Sequence, residues 1–355
     1  MNSNRQALVF GAAGFIGRWL VKELLDQGIP TTAAVRTVAR FEPLRDWLAA
    51  HGADVGLLGV VEADLAADGI GLNSDTFVHL SEIYNVAGAY AFGMGADEAR
   101  AANVDTSRSV VEFAAAVPGD VRLIHLSGYR VGGQEAASVP WSEQKRRHEY
   151  KRLGAYEASK VESDAVVQAA AQKLDVALTT ANPASVIGHS VTGESDQILG
   201  LATTVRDLIA GRLPAIPGGS RTFVPVVTVD YLARFLTLLP VDEETRGKSY
   251  WILDDETPVL PELLQLIGRH HGVRVPRLRI PVGIVKRLPR AITHADPETL
   301  SFLSPDRYPT GPAKRLAEQH GLAQPDITAA LTRWSDYLVA TRFGQASVTS
   351  APRGT

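Results

Sequence analysis

The sequence predicts an α/β fold: a doubly wound parallel sheet with helices on both faces, followed by a smaller C-terminal substrate lobe. Three observations carry this. Residues 7–28, ALVFGAAGFIGRWLVKELLDQG, read as a strand, a glycine turn and an amphipathic helix. Apolar runs of strand length return at 31–36, 55–61, 76–80, 122–127 and 176–182, with helical stretches at 96–116 and after residue 153. Beyond residue 188 the chain is less regular, and its last third is Pro-rich and alternates short elements. The expected division is a sheet domain over 1–188 that receives further elements from 222–238, an intertwined, mainly substrate-binding lobe over 189–343, and a flexible tail over 344–355.

Ala7, Leu8, Val9 and Phe10 form the first strand's continuous apolar run. Gly11, Gly14 and Gly17 punctuate the turn and the helix start. Phe15, Ile16, Trp19, Leu20, Val21, Leu24 and Leu25 follow at helical spacing, opposite Arg18, Lys22, Glu23 and Asp26. Gly28 stands where a left-handed cap is expected. A helix N-terminus offers unpaired N–H groups and the positive end of a dipole, and glycines let phosphates approach the backbone. Gly11, Ala13, Gly14, Phe15, Ile16 and Gly17 are therefore candidate pyrophosphate contacts. The alternative is a glycine-rich turn without a ligand; a strand before and a helix after it favour the site.

The second strand ends in Arg36. In a dinucleotide-binding sheet an acid at this place bonds the ribose 2′-hydroxyl, whereas an arginine accommodates a 2′-phosphate. Arg40, one helical turn on, can share the load. This favours NADP(H) over NAD(H); the alternative is an Arg36 that merely faces solvent. Asp64 and Leu65 follow the third strand, where a carboxylate can accept from the adenine amino group. A fourth strand at 76–80 would bring Leu80 and Ser81 to the cofactor crevice, with Glu82 either near the cofactor or a helix N-terminal acid. Asn103 lies within the 96–116 helix, and Ser127 closes the fifth strand. Residues 134–153 read as a polar, irregular loop carrying Lys145, Arg146, Arg147, Lys151 and Arg152. The cluster reads as a solvated charge run, with an anion site for a substrate phosphate as the alternative.

The next helix carries Tyr156 and Lys160 at i and i+4, one turn apart on one face. No other tyrosine has a lysine four residues on. An ammonium beside a phenol favours the phenolate and lowers its pKa from about 10, which makes it a usable proton donor and acceptor. Alone, the spacing also describes a common surface pair. The sixth strand leads into Pro183, Ser185 and Val186.

The bulk numbers bound the rest. With 355 residues and 45% apolar content, the chain can bury one large core or two intertwined ones. A net charge of −3 favours neither nucleic acid nor an anionic membrane. The absence of cysteine excludes thiolate chemistry and fits a reducing cytoplasm. No signal segment precedes the first strand, and no apolar run reaches 18 residues, so a cytoplasmic protein is expected. Of the nine histidines, His270 and His271 are adjacent and expected to point apart; no metal is expected. No G-x-S-x-G elbow supports serine hydrolysis.

Over residues 7–238 these motifs together resemble the extended, or atypical, short-chain dehydrogenase/reductases, within the NAD-dependent epimerase/dehydratase superfamily. The resemblance rests on the spacing of Gly11, Gly14 and Gly17, on Asp64-Leu65, on the HLS at 79–81, and on Asn103. It also rests on Tyr156-x-x-x-Lys160, on PASVIG at 183–188 and on VTVDY at 227–231. The opening segment with AAVR is most similar to the NADPH-dependent dihydroflavonol-reductase-like branch, and VPVVTVDYLA is similar to thioester and fatty-acyl reductases. The resemblance implies a Rossmann-type sheet and NADPH-dependent reduction of a carbonyl. Tyr156 would be the proton donor, Lys160 would hold the nicotinamide ribose, and Pro183, Ser185 and Val186 would lie beside the nicotinamide. It also implies a small-molecule substrate and a homodimer. Two departures stand out. Gly128 occupies the place of the Ser or Thr that orients the carbonyl, so Ser127 or Tyr129 would take that role. Asn182 replaces the usual arginine, which weakens an inference to nucleotide-sugar substrates. The other readings are an epimerase or dehydratase with tightly held NAD, and a non-catalytic NADP-binding sensor, which Gly128 favours.

Overall fold

The computed structural model describes residues 5–88, 94–285 and 303–345. Along the chain come β1 (Ala7–Phe10), α1 (Phe15–Asp26), β2 (Thr31–Val35), α2 (Phe41–Ala50), β3 (Leu58–Glu62) and β4 (Glu82–Asn85). Then come α3 (Ala96–Arg100), α4 (Thr106–Ala116), β5 (Arg122–Leu126), α5 (Glu143–Leu153), α6 (Ala155–Leu174) and β6 (Ala177–Pro183). The later part holds β7 (Ser185–Ile187), α7 (Leu201–Ile209), β8 (Ile216–Pro217), β9 (Val226–Thr228), α8 (Val229–Leu238) and β10 (Ser249–Ile252). It continues with α9 (Leu260–His270), β11 (Arg279–Ile280), α10 (Gly311–Gln319) and α11 (Ile327–Ala340). Among the described residues no helix is long and apolar enough to cross a membrane.

The chain divides into two compact units. The first comprises Met1–Pro183, Leu232–Ile252 and Tyr308–Leu322. It holds a seven-stranded sheet in the order β10-β6-β5-β4-β1-β2-β3, every neighbour parallel. This is a Rossmann-type fold. Because all strands run one way, all their C-terminal ends share one edge, which is where ligands bind in such sheets. Helices cover both faces of parallel sheets, so their strands need not alternate; β1 and β5 are buried at every position. One face is filled by Leu8, Phe10, Ile83 and Leu123 against Val110, Phe113 and Val167. The Phe113 ring meets Phe10 and Phe77 edge-on, with centroids 6.0 and 5.6 Å away.

The second unit comprises Ala184–Tyr231, Leu253–Arg307 and Ala323–Thr355. In it β7 pairs with β9 and β8 with β11, both in parallel. Its core joins Val205 and Leu208 of α7, Leu263, Leu264 and Ile267 of α9, and Leu331, Trp334 and Leu338 of α11.

Three expectations are corrected. The third strand does not begin at residue 55: Val55–Leu57 form a 3-10 turn whose cap Asp54 accepts from Gly56 N–H at 2.9 Å. The fourth strand is Glu82–Asn85 rather than 76–80; Ser74–Thr76 form a turn held by Asn73, and Phe77 packs on Phe113. The real strand is disguised by a buried acid, Glu82, which accepts from Arg5 at 2.9 Å. Burial raises the Glu82 carboxyl and the Arg5 charge opposes that rise. Residues 143–153 are a helix, not a loop, opened by Ser142, whose hydroxyl accepts from Lys145 N–H. Four of the five cations there are engaged: Arg146 with Glu162 of α6, Arg147 with Glu143, Arg152 with Glu149, and Lys145 over the Trp141 ring. Of the expected tail, residues 346–355 lie outside the described residues.

Phe113→Ala deletes the ring between Phe10 and Phe77 and is expected to lower the unfolding free energy by about 3–5 kcal/mol. Urea unfolding with an unchanged m-value checks this.

Candidate active site

The C-terminal edge of the first unit's sheet collects the candidate residues. At β1 the backbone turns on Gly11, whose φ of +82° lies in the region open mainly to glycine. A β-carbon at Gly11 would lie 2.7 Å from Ala87 N, and one at Gly17 would overlap the Gly11 carbonyl oxygen. Helix α1 is thus seated directly on the turn. Its N-cap, Gly14, offers no side-chain cap, and no acid stands in the first turn. The first N–H groups are left for an anion, with Ala13 and Gly14 exposed and Phe15 and Ile16 half-buried beside them. A turn whose glycines keep side chains out, next to an uncapped helix end, fits a dinucleotide pyrophosphate.

Arg36 directly follows β2, and Arg40 is the N-cap of α2; both are exposed. Asp64 lies two residues past β3, where its carboxylate accepts from Ala66 N–H at 3.0 Å, with Leu65 half-buried beside it. Leu80 and Ser81 are at the other edge. They precede β4, Ser81 exchanges hydrogen bonds with the Gln6 backbone, and Leu80 lines a cleft with Gln6, Thr31 and Phe77. Their assignment to the cofactor crevice is corrected accordingly, and Glu82 belongs to the strand. Val86, Ala87 and Gly88 are the residues that β4 delivers to the ligand edge.

The expected single helix over 96–116 is broken by a π-turn at Ala101–Asp105, a form frequent at functional sites. It tilts Asn103 onto α6: Asn103 Nδ2 donates to Ser159 Oγ at 3.0 Å, and Ser163 Oγ donates to the Asn103 carbonyl at 2.9 Å. Tyr156 lies in the first turn of α6, with Lys160 one turn further. The Lys160 ammonium and Asn103 Oδ1 each stand 3.8 Å from the place of a Gly88 β-carbon. Helix α6 therefore presents Lys160 to the loop after β4. Burial lowers the Lys160 pKa, and the Asp164 charge opposes that fall.

Asp164 lies one turn beyond Lys160, with 1% exposure. Its Oδ2 accepts Gln134 N–H at 2.8 Å, and its Oδ1 has no hydrogen-bond partner among the described residues. Burial raises its pKa, against the polar groups of Gln134 and Ser127 and the Lys160 charge. Ser127, the expected carbonyl partner, is buried beside that carboxylate. At Gly128 the φ is ordinary, and a β-carbon would meet only Val131 Cγ2, at 3.3 Å. The Tyr129 ring packs edge-on against Tyr308, with centroids 5.0 Å apart. Tyr129 N–H donates to the carbonyl of Pro183 at the end of β6. Asn182 is fully buried against Gly132, and neither of its amide atoms has a hydrogen-bond partner among the described residues. Ser185 and Val186 belong to β7 of the second unit, where Ser185 N–H donates to Pro225 O.

Sequence reasoning passed over Asp164 and His125. The i, i+4 rule that found Lys160 also reaches Asp164. His125 gave no signal, since a histidine inside an apolar strand has no spacing to read.

The family model for male sterility protein matches residues 9–236, well over half of the chain. The chain belongs to that family. The male sterility protein family lies among the extended short-chain dehydrogenase/reductases, and the chain is an NAD(P)-dependent enzyme of that oxidoreductase and epimerase type. No curated protein matches it. Many solved structures share its fold, three of them as follows. The terminal R domain from the myxalamid PKS-NRPS biosynthetic pathway has a TM-score of 0.76 at 20% identity, covering 98% of this chain and 94% of that one. A thiolation-reductase di-domain from an archaeal non-ribosomal peptide synthetase has a TM-score of 0.71 at 16% identity, covering 96% and 76%. Gre2 from Candida albicans, in complex with NADPH, has a TM-score of 0.66 at 17% identity, covering 94% and 98%.

Within this family member His125 gives a pH signature. It is buried, and its Nδ1 lies 3.2 Å from Asn85 Nδ2. Desolvation first, and the Lys160 charge second, push its pKa down to about 3. An unfolded imidazole titrates near 6.5, so the stability it contributes is fully present above about pH 6.5. It is lost as pH falls toward 3, by up to about 1.4 kcal/mol per pH unit. Urea unfolding between about pH 7 and 5 is expected to show this loss in the wild type and a shallower one in His125→Gln.

Proposed function

We propose that the chain reduces a carbonyl, in a ketone, an aldehyde or an acyl thioester, with NADPH. The observation that carries the reading is the meeting of Lys160 with Asn103 and Gly88 at the ligand edge, one helical turn after Tyr156. The glycine turn from Gly11 to Gly17 would hold the pyrophosphate, Asp64 and Leu65 the adenine, and Arg36 with Arg40 the 2′-phosphate. Lys160 would hold the nicotinamide ribose, with Pro183, Ser185 and Val186 beside the nicotinamide. When bound, the reduced cofactor supplies a hydride to the carbonyl carbon.

The chain's own residues do the rest. Tyr156 donates its phenolic proton to the oxygen as negative charge develops there. Lys160 stabilises the resulting phenolate and so lowers the phenol's pKa. Asp164 is a positioning residue: its charge raises the pKa of the half-buried Lys160, and its Oδ2 accepts Gln134 N–H in the loop after β5. Ser127, directly after β5 and beside Asp164, would be the partner of the carbonyl oxygen. Gre2, bound to NADPH, supports the cofactor choice, and the thiolation-reductase neighbour supports an acyl thioester among the substrates. The second unit is proposed as the substrate lobe. A cytoplasmic homodimer, joined through the helices that carry Asn103 and Tyr156, belongs to the same proposal.

Arg36 and Asn182 count against the NAD-dependent epimerase reading. Gly128 favours a second reading, an NADP-binding sensor without turnover.

Two experiments separate these. In a thermal-shift comparison NADPH is expected to raise Tm more than NADH, through Arg36. With a panel of aldehydes, ketones and acyl thioesters, the wild type is expected to oxidise NADPH, and Tyr156→Phe to lose about 10²-fold or more in kcat while keeping the NADPH shift. Stronger stabilisation by NADH overturns the cofactor assignment, and no turnover on any substrate favours the sensor.

Asp164→Asn keeps an acceptor for Gln134 N–H but removes the charge that raises the Lys160 pKa. Lys160 then loses its proton at lower pH. The basic limb of the kcat/KM profile is expected to move down by about one pH unit, with Tm little changed. A purely structural role would lower Tm and leave the limb in place.

A further inference from the structure

Outside the sheet edge, the second unit gathers His270, His271 and Asp336, whose ligand atoms all lie within 4.8 Å of one another. This corrects the expectation that the adjacent histidines point apart. Neighbours within a helix diverge by about 100°, but α9 ends at His270, and His271 is its C-cap, with φ −90° and ψ 3°. Both imidazoles turn to the same stretch of α11, with ring centroids 4.8 Å apart. The α9–α11 contact is fixed beneath them by Leu263, Leu264 and Ile267 against Leu331, Trp334 and Leu338.

We propose that His270 Nε2, His271 Nε2 and the Asp336 carboxylate form a zinc site that clamps the end of α9 to α11. His270 Nε2 stands 2.7 Å from Asp336 Oδ1, and His271 Nε2 stands 3.8 Å from it. Ligands bonded at about 2.0–2.2 Å to a tetrahedral zinc are about 3.4 Å apart. These two distances need to change by less than about an ångström and the widest separation of the set, 4.8 Å, by about 1.4 Å, which rotation of the exposed His270 and Asp336 side chains supplies. Two imidazoles and one carboxylate are a donor set that suits zinc. On binding, each ring carries its proton on Nδ1 and presents a bare Nε2. His271 Nε2 exchanges its present partner, Ser335 Oγ at 2.8 Å, for the metal. The Ser335 hydroxyl is left satisfied, since it donates to Thr332 O at 2.8 Å. His270 and Asp336 are exposed, which leaves a path for entry and room for a water as fourth ligand. The site is independent of the proposed reaction.

The test uses the full chain without a histidine tag, stripped with EDTA. Zinc chloride is titrated in by calorimetry, and Tm is followed with zinc and with magnesium. The wild type is expected to bind one zinc per chain and to gain Tm with zinc but not with magnesium. His271→Ala and Asp336→Asn are expected to bind zinc at least about tenfold more weakly, and His148→Ala, on α5, as the wild type does. The metal-free Tm of each variant shows whether its fold is intact. Absence of saturable zinc binding by the wild type overturns the proposal. So does equal affinity in variants whose metal-free Tm is unchanged. If His271→Ala lowers the metal-free Tm, the more conservative Asp336→Asn decides.

Discussion

A β-carbon at Gly17 would overlap the carbonyl oxygen of Gly11, and one at Gly11 would press on the backbone of Ala87. Those two absences let α1 sit on the end of β1 while the loop after β4 passes against the same turn. Everything at the ligand edge depends on this close approach. It leaves the first turn of α1 with N–H groups that no side chain caps. It also brings Gly88 into line with Lys160 and Asn103, which arrive on helices far along the chain. The parallel register does the remaining work, since Arg36, Asp64 and Ser127 come after, and Pro183 ends, strands whose C-terminal ends lie on that one edge.

The energetic burden of the site lies under it. Lys160, Asp164 and His125 are packed where charge is expensive, and burial moves all three away from their charged forms. Their arrangement decides which charges survive. Asp164 has the Gln134 N–H and the Lys160 ammonium to favour its anion, and Lys160 has that carboxylate one turn away. His125 has only the amide of Asn85 and the repulsion of Lys160, so it stays neutral. One buried opposite-charge pair beside a neutral imidazole costs less than three isolated charges would.

Much of the fold was legible because its signals are local. The strand, glycine turn and helix at the start are written in consecutive residues, and Tyr156 and Lys160 are one turn apart on one helix. What failed depends on partners distant in sequence. Glu82 reads as a charged residue outside any strand until Arg5 neutralises it, whereas Phe77 and Leu80 look like a strand although their contacts lie on α4 and at the opposite edge. That one displaced strand carries Leu80 and Ser81 to the wrong edge. The convergence of His270 with His271 was equally hidden, because it depends on where α9 stops and which helix lies opposite.

Gly128 and Ser127 together explain how a family site can lack its usual hydroxyl without losing its shape. Gly128 has an ordinary φ, so the backbone does not require glycine there, but a β-carbon would stand 3.3 Å from Val131 Cγ2, which would have to give by a few tenths of an ångström. The loop after β5 is held by other means: Asp164 takes the N–H of Gln134, Tyr129 N–H bonds Pro183 O, and Trp251 Nε1 donates to Tyr129 O at 2.9 Å. Ser127 is buried beside the Asp164 carboxylate, whose Oδ1 has no hydrogen-bond partner among the described residues. The shape of this loop is therefore kept by backbone and side-chain bonds that do not involve a hydroxyl at residue 128.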